Sequence, residues 1–210
     1  MIQVEDMIKK RVDMIPQKDF EILLKRTHMP KLHWEASIDK IPDLPYKLTV
    51  LKYLGSIKER MVEGQGLLLH GPYSSGKSAI AAICLKTALL LQFPKIGLWI
   101  KAKALPDYII NKTRFDDAFT MYSRAKSVPL LVIDEIQLRK NLGYTENMAE
   151  DLIRERIDKQ LATIITTNHS LSTIRDEYPA LYEILQEGVL PLKIEGCNFR
   201  QEKRINSEEW

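Results

Sequence analysis

Eight consecutive residues, Gly71, Pro72, Tyr73, Ser74, Ser75, Gly76, Lys77 and Ser78, have the types and spacing that phosphate chemistry needs, fitting G-x-x-x-x-G-K-[ST]. In such a loop backbone N–H groups wrap the phosphates, the glycines allow the required dihedrals, the lysine reaches the β- and γ-phosphates and the hydroxyl ligates Mg²⁺. With Ala79 this is the predicted binding segment for a nucleoside triphosphate. A second group is the adjacent pair Asp134 and Glu135, which ends the apolar run 129–133. Asp134 is predicted to hold Mg²⁺ together with Ser78, and Glu135 to orient and deprotonate the water that attacks the γ-phosphate. A third is Asn168, at the polar end of the β-rich run 161–168, whose amide can hydrogen-bond the γ-phosphate or the lytic water. Lys77, Glu135 and Asn168 are therefore the predicted catalytic residues.

These side chains need strand tips and a helix start to hold them. Residues 66–70 are a short apolar run bounded by glycine, as in a buried strand, and residues 78–93 are apolar on nearly every face, as in a buried helix. Strand, loop and helix in that order aim a helix N-terminus at the phosphates. Residues 129–135 form a further strand tipped by acids, 96–100 a strand between these two, and 161–168 and 189–194 two more. Helices are expected over 46–62, from a stripe of Leu48, Leu51, Leu54, Ile57 and Met61, over 147–159, and in short pieces near Leu105, over 172–177 and over 179–187.

The 210 residues suit one α/β domain with a short appendage. A net charge of +3 permits a nucleic-acid partner without arguing for one. Cys84 and Cys197 have neither C-x-x-C spacing nor a nearby histidine, so they read as reduced and structural. The longest apolar run, 79–91, carries Lys86, so no membrane span is expected and the chain is placed in the cytoplasm. Residues 1–28 show helical spacing broken at Pro16, which reads either as a helical cap on the main domain or as a docking arm for a partner. The ATPase domain is expected over 29–200, with a charged tail over 201–210. The linker around Pro30, Trp34, Pro42 and Pro45 is expected to run beside the nucleotide base. Lys101, Lys103, Lys112 and Arg114, interleaved with Tyr108 and Phe115, are the best candidates for DNA contact, since cations with stacking rings suit a single strand; a solvated helix face has the same composition.

With these residues assembled, the chain resembles the AAA+ helicase loaders of the DnaC and DnaI type and their relatives, the IstB-type transposition ATPases. The likeness rests on Met29, Pro30, Trp34 and Ala36 before the domain, the loop Gly71 to Ser78, the run LLVIDE ending at Glu135 and the run TTN ending at Asn168, which matches sensor 1. It implies a P-loop NTPase fold of the AAA+/ASCE type: a five-stranded parallel sheet between helices, the Walker strands separated by one other, no C-terminal lid and a short helical N-terminal arm. It also implies ATP and Mg²⁺ as cofactors, self-assembly on single-stranded DNA through residues 101–115, and a replicative hexameric helicase as partner. Family members open and load that helicase ring, and ATP hydrolysis releases or resets them.

The chain departs from the family at two points. Where the family carries G-x-R-x-x-D-R with its arginine finger, this chain reads PALYEILQ over 179–186, without arginine. Arg156 and Arg175 are the candidates to replace it, or a partner subunit supplies the group. The segment before Met29 is also shorter than the docking domain of better-known loaders, which points to a different docking mode or partner. Three other functions fit the sequence: a transposition helper on duplex DNA, an ATP-gated scaffold with weak hydrolysis, and a small-molecule kinase. The kinase is disfavoured because only Arg175 lies between Asn168 and the last strand, too little for an arginine-rich lid.

Overall fold

The computed structural model describes Asp6 and residues 16–91, 97–110, 116–137 and 143–196. The first expected helix apart from Asp6, the strand start at Ile96, the DNA candidates Lys112 and Arg114, Cys197 and the charged tail lie outside those residues.

The apolar runs become β1 (Gly66–His70), β2 (Leu98–Lys101), β3 (Leu130–Ile136), β4 (Ala162–Thr167) and β5 (Val189–Lys193). They form one parallel sheet in the order β2-β3-β4-β1-β5, so β4 separates the phosphate-loop strand from the acid-tipped strand. Central parallel strands are covered on both faces, which is why their sequences are continuously apolar. Alternation then divides each strand between two cores. Leu67, Leu69, Leu130, Val132 and Ile164 enter one, and Leu68, Leu131, Ile133 and Ile165 the other. The first core is closed by α1 (Gln17–Arg26), α2 (Pro45–Gly55), α3 (Ile57–Val62) and α4 (Lys77–Leu90). The second is closed by α5 (Leu105–Ile110), α6 (Asp116–Ala125), α7 (Gly143–Asp158), α8 (Leu171–Glu177) and α9 (Pro179–Gly188).

Both sheet edges are managed. At β5 the exposed Leu190 and Pro191 sit on a strand paired only with β1, a place where proline costs no ladder bond. At β2 the Trp99 N–H donates to the Thr27 carbonyl at 2.8 Å, so the segment leaving α1 covers that edge. Leu24 is buried and Phe20 packs on the first core, which makes α1 part of the cap on that face.

Two helical features differ from expectation. The single helix expected over 46–62 is two, because Ser56 (φ −116, ψ 23) turns the chain after Gly55. Glycine is a poor helix former, and the Ser56 hydroxyl donates to the Lys52 carbonyl at 3.1 Å, both of which favour a stop there. Leu51, Leu54, Ile57 and Met61 are buried as predicted, but Leu48 is 42% exposed. α6 is an additional helix, whose Met121, Tyr122 and Ala125 meet the second core at helical spacing. Cys84 is fully buried and its thiol is pushed up to about 12, in keeping with an inert structural cysteine. No helix among the described residues is long and apolar enough to cross a membrane.

Candidate active site

The phosphate loop leaves β1 at Gly71, whose φ of 144 and contact with the next strand exclude a side chain: a Cβ there would meet the Ile194 carbonyl oxygen at 2.1 Å. Gly76, with φ 96, turns the loop into α4, and Ser74 takes a left-handed conformation without being glycine. Lys77 opens the helix and is 7% exposed. Its Nζ donates to the Gly71 carbonyl at 2.9 Å, the Pro72 carbonyl at 2.5 Å and Ser75 Oγ at 3.3 Å. Burial lowers its pKa to about 8, while Asp134 and Glu135 pull it upward.

Asp134 and Glu135 sit on an irregularity of β3 that the sequence does not announce. Ile133 pairs with Ile165 and Ile136 with Thr167, so the two acids face the single residue Thr166 of β4. The extra residue is a β-bulge, and it puts Glu135 at φ 60, a strained conformation that costs on the order of 1–3 kcal/mol. Thr166 holds the bulge together. Its Oγ1 accepts the Glu135 N–H at 2.8 Å and donates to Asp134 Oδ1 at 2.8 Å. Ser78 Oγ donates to that same Oδ1 at 2.8 Å, joining the phosphate loop to the acid strand. Burial raises the Asp134 pKa, and these two hydroxyl bonds oppose the rise. Glu135 points outward, with Lys101 Nζ at 3.8 Å from its Oε2.

Facing the loop across a cleft of about 710 Å³ is the linker. Lys31, His33, Ala36, Ile41 and Tyr46 line one side; Lys77, Ser78, Ile80, Ile83, Glu135 and Asn168 line the other. The linker and the phosphate loop thus line one cleft. The linker is held by side chains rather than by a ladder. Trp34 Nε1 donates to the Met29 carbonyl at 3.0 Å, and Lys86 Nζ, from the middle of α4, donates to the carbonyls of Trp34 at 2.6 Å and Ala36 at 2.8 Å.

The cleft gathers Tyr73, Ser74, Ser75, Gly76, Lys77, Ser78, Ala79, Glu135 and Asn168, with Asp134 buried directly beneath Ser78. Tyr73 stands at the rim, 70% exposed. Of the DNA candidates, the described residues are Lys101, Lys103 and Tyr108. Lys101 is engaged with Glu135, Lys103 is exposed, and Tyr108 packs against the second core. Arg156 is corrected as an arginine-finger candidate. It is fully buried, donating to Thr163 Oγ1 at 2.9 Å and to the carbonyls of Ala125 at 2.6 Å and Ala162 at 2.7 Å, so it cannot reach another subunit. Burial lowers its pKa to about 9. The signal was present: Ala149, Leu152, Ile153 and Arg156 share one helical face. Arg175 is exposed on α8 and bonded to Asp176 at 2.8 Å. Thr166, Lys86 and His33 were not singled out as site residues, although Thr166 opens the TTN run and Lys86 interrupts the apolar run 79–91.

The donor set fits Mg²⁺. Ser78 Oγ and Asp134 Oδ1 are one hydroxyl and one carboxylate oxygen side by side, and Mg²⁺ takes few protein oxygens because phosphates and waters complete its shell. Among the described residues there is no cluster of three or more His, Cys, Asp or Glu that would favour another metal.

The chain superposes on the DnaC helicase loader with a TM-score of 0.65 at 22% identity, covering 79% of this chain and 100% of that one. On DnaI the TM-score is 0.64 at 17% identity, covering 81% and 93%. On the replication initiator DnaA bound to AMPPCP and single-stranded DNA it is 0.65 at 12% identity, covering 85% and 56%. No protein-family model and no curated protein matches the chain. The fold is that of the AAA+ P-loop NTPases, in the form seen in the DnaC and DnaI structures.

Proposed function

We propose that this AAA+-fold chain binds and hydrolyses ATP and uses the cycle to load or remodel a replicative hexameric DNA helicase on single-stranded DNA. The observation that carries the ATPase part is the three-way junction of Ser78, Asp134 and Thr166, which sets the phosphate loop and the acid-tipped bulge 2.8 Å apart in one cleft. Lys77 would leave the loop carbonyls for the β- and γ-phosphates, and backbone N–H groups of the loop and the α4 N-terminus would hold the remaining oxygens. The Glu135 carboxylate, which takes no part in the hydroxyl bonds that occupy Asp134 and lies 3.8 Å from Lys101 Nζ, would take the proton of a water attacking the γ-phosphorus as ADP leaves. Asn168 would position that water or the departing phosphate. Mg²⁺ held at Ser78 and Asp134 would neutralise charge on the β- and γ-oxygens.

The loader part rests on likeness to DnaC, whose structure is that of a helicase loader. A pull-down with the replicative helicase under ATP, ADP and no nucleotide tests it. Nucleotide-dependent capture is expected, and absence of capture in all three states removes the loader reading.

The burial of Arg156 favours a second reading, an ATP-gated scaffold that hydrolyses slowly by itself, because a trans-acting arginine accelerates hydrolysis by about 10³ to 10⁵ where one operates. Turnover that rises with protein concentration and is lost in Arg175→Ala would overturn the slow scaffold and place the finger at Arg175.

A further inference from the structure

Among the polar side chains of the cleft that have no part in the chemistry above is His33. His33 ends the 3₁₀ turn Lys31–His33 of the linker and lines the same cleft as Lys77, Ser78, Glu135 and Asn168. Its ring lies stacked on Trp99 of β2, with centroids 5.5 Å apart and planes at 28°. Trp99 and Lys101 project from one face of β2, and Lys101 is in register with Asp134. A ring resting on Trp99 therefore stands beside the acid-tipped end of β3, and the charges of Asp134, Glu135 and Lys101 all act on it. Burial is the first cause lowering its pKa, which favours a neutral ring with one N–H donor and one acceptor. Among the described residues no hydrogen bond to either ring nitrogen accompanies the stack on Trp99.

We propose that His33 is a γ-phosphate contact of the ATP site, supplied in cis by the linker and held in place by Trp99. The inference rests on the nucleotide reading above and deepens it. Lys77 and the loop N–H groups serve any nucleotide with a β-phosphate. His33 enters from the opposite wall, beside Glu135, where only the third phosphate of ATP or its attacking water would stand. The segment that carries it is short and continuous with α1: Thr27 is pinned to β2, Trp34 is tied to Met29, and Lys86 fixes the carbonyls of Trp34 and Ala36. Loss of the γ-phosphate would remove this contact while the stack on Trp99 remains.

The test compares His33→Ala, His33→Phe and His33→Gln in the full chain, with calorimetric affinities for AMPPNP and for ADP and with steady-state kcat and KM. His33→Phe keeps a ring on Trp99 but no N–H, so it guards against a merely structural effect. The expected result is a loss of about tenfold in AMPPNP affinity and in kcat for the Ala and Phe variants, with ADP affinity changed less than about twofold and recovery of most of the loss by Gln. Equal losses for AMPPNP and ADP, or full activity in His33→Phe, overturn the proposal while leaving the ATP site in place. Failure of the unsubstituted chain to bind either nucleotide overturns the nucleotide reading and the inference with it.

Discussion

The two walls of the cleft are built by different physics. The phosphate wall stands on β1, β3 and β4, whose parallel ladders fix the strand tips in register, and its reactive groups meet through hydroxyl bonds of 2.8 Å. The linker wall has short 3₁₀ turns, side-chain anchors at Trp34 and Lys86, one backbone bond from the Trp99 N–H to the Thr27 carbonyl, and Met29, Ile38 and Ile41 buried in the first core. A ladder spreads its loss over many bonds, whereas a wall held by a few anchors can let go locally. The catalytic groups of the proposed function stand on the ladder-built wall, and the proposed γ-phosphate contact at His33 on the other.

Substitutions sharpen this contrast in order of size. Lys77→Ala should lower ATP affinity by about 100-fold or more, since it deletes the buried cation that the proposed function assigns to the β- and γ-phosphates; calorimetry reads this directly, and retained binding would undo the whole assignment. Glu135→Gln should hold ATP within about threefold of the unsubstituted affinity while turnover falls by about 10²-fold or more, measured as phosphate release. Undiminished turnover would remove Glu135 as the base. Thr166→Val removes the acceptor of the Glu135 N–H and one of the two hydroxyls on Asp134, and is expected to cost about 1–3 kcal/mol of stability and roughly tenfold in kcat. Denaturant melts and kinetics on the same preparation would show it.

On the linker wall the effects should be smaller and should fall on binding. Lys86→Met frees the carbonyls of Trp34 and Ala36 and should raise KM for ATP by about fivefold with kcat little changed, in line with lost hydrogen bonds to a charged group. Trp34→Phe, which deletes one neutral bond to Met29, should raise KM by about twofold. Linker variants that lower kcat more than Thr166→Val would break the contrast between the walls.

Local pattern made much of the fold readable. Continuous apolar runs mark strands covered on both faces, and Gly71, Gly76, Lys77 and Ser78 follow one another within a single turn, so their geometry is nearly implied by their order. The helix break at Ser56 was harder, because one serine and one glycine shift a weak preference that packing then decides. Arg154 and Arg156 show how periodicity can be underused. They are two residues apart on α7, yet the Arg154 side chain is 55% exposed while Arg156 is fully buried against three neutral oxygens.

By itself the amino-acid order determined that a glycine-rich loop joins a buried strand to a buried helix, and that acids and an amide cap two further strands. Those features depend on residues close together along the chain, where dihedral preference and hydrophobic period act directly. The bulge at Glu135, the bracing by Thr166, the Lys86 anchor and the placing of His33 over Trp99 were decided only in three dimensions. Each joins groups 31 to 66 residues apart, a spacing that sheet register and packing select and that no local preference encodes.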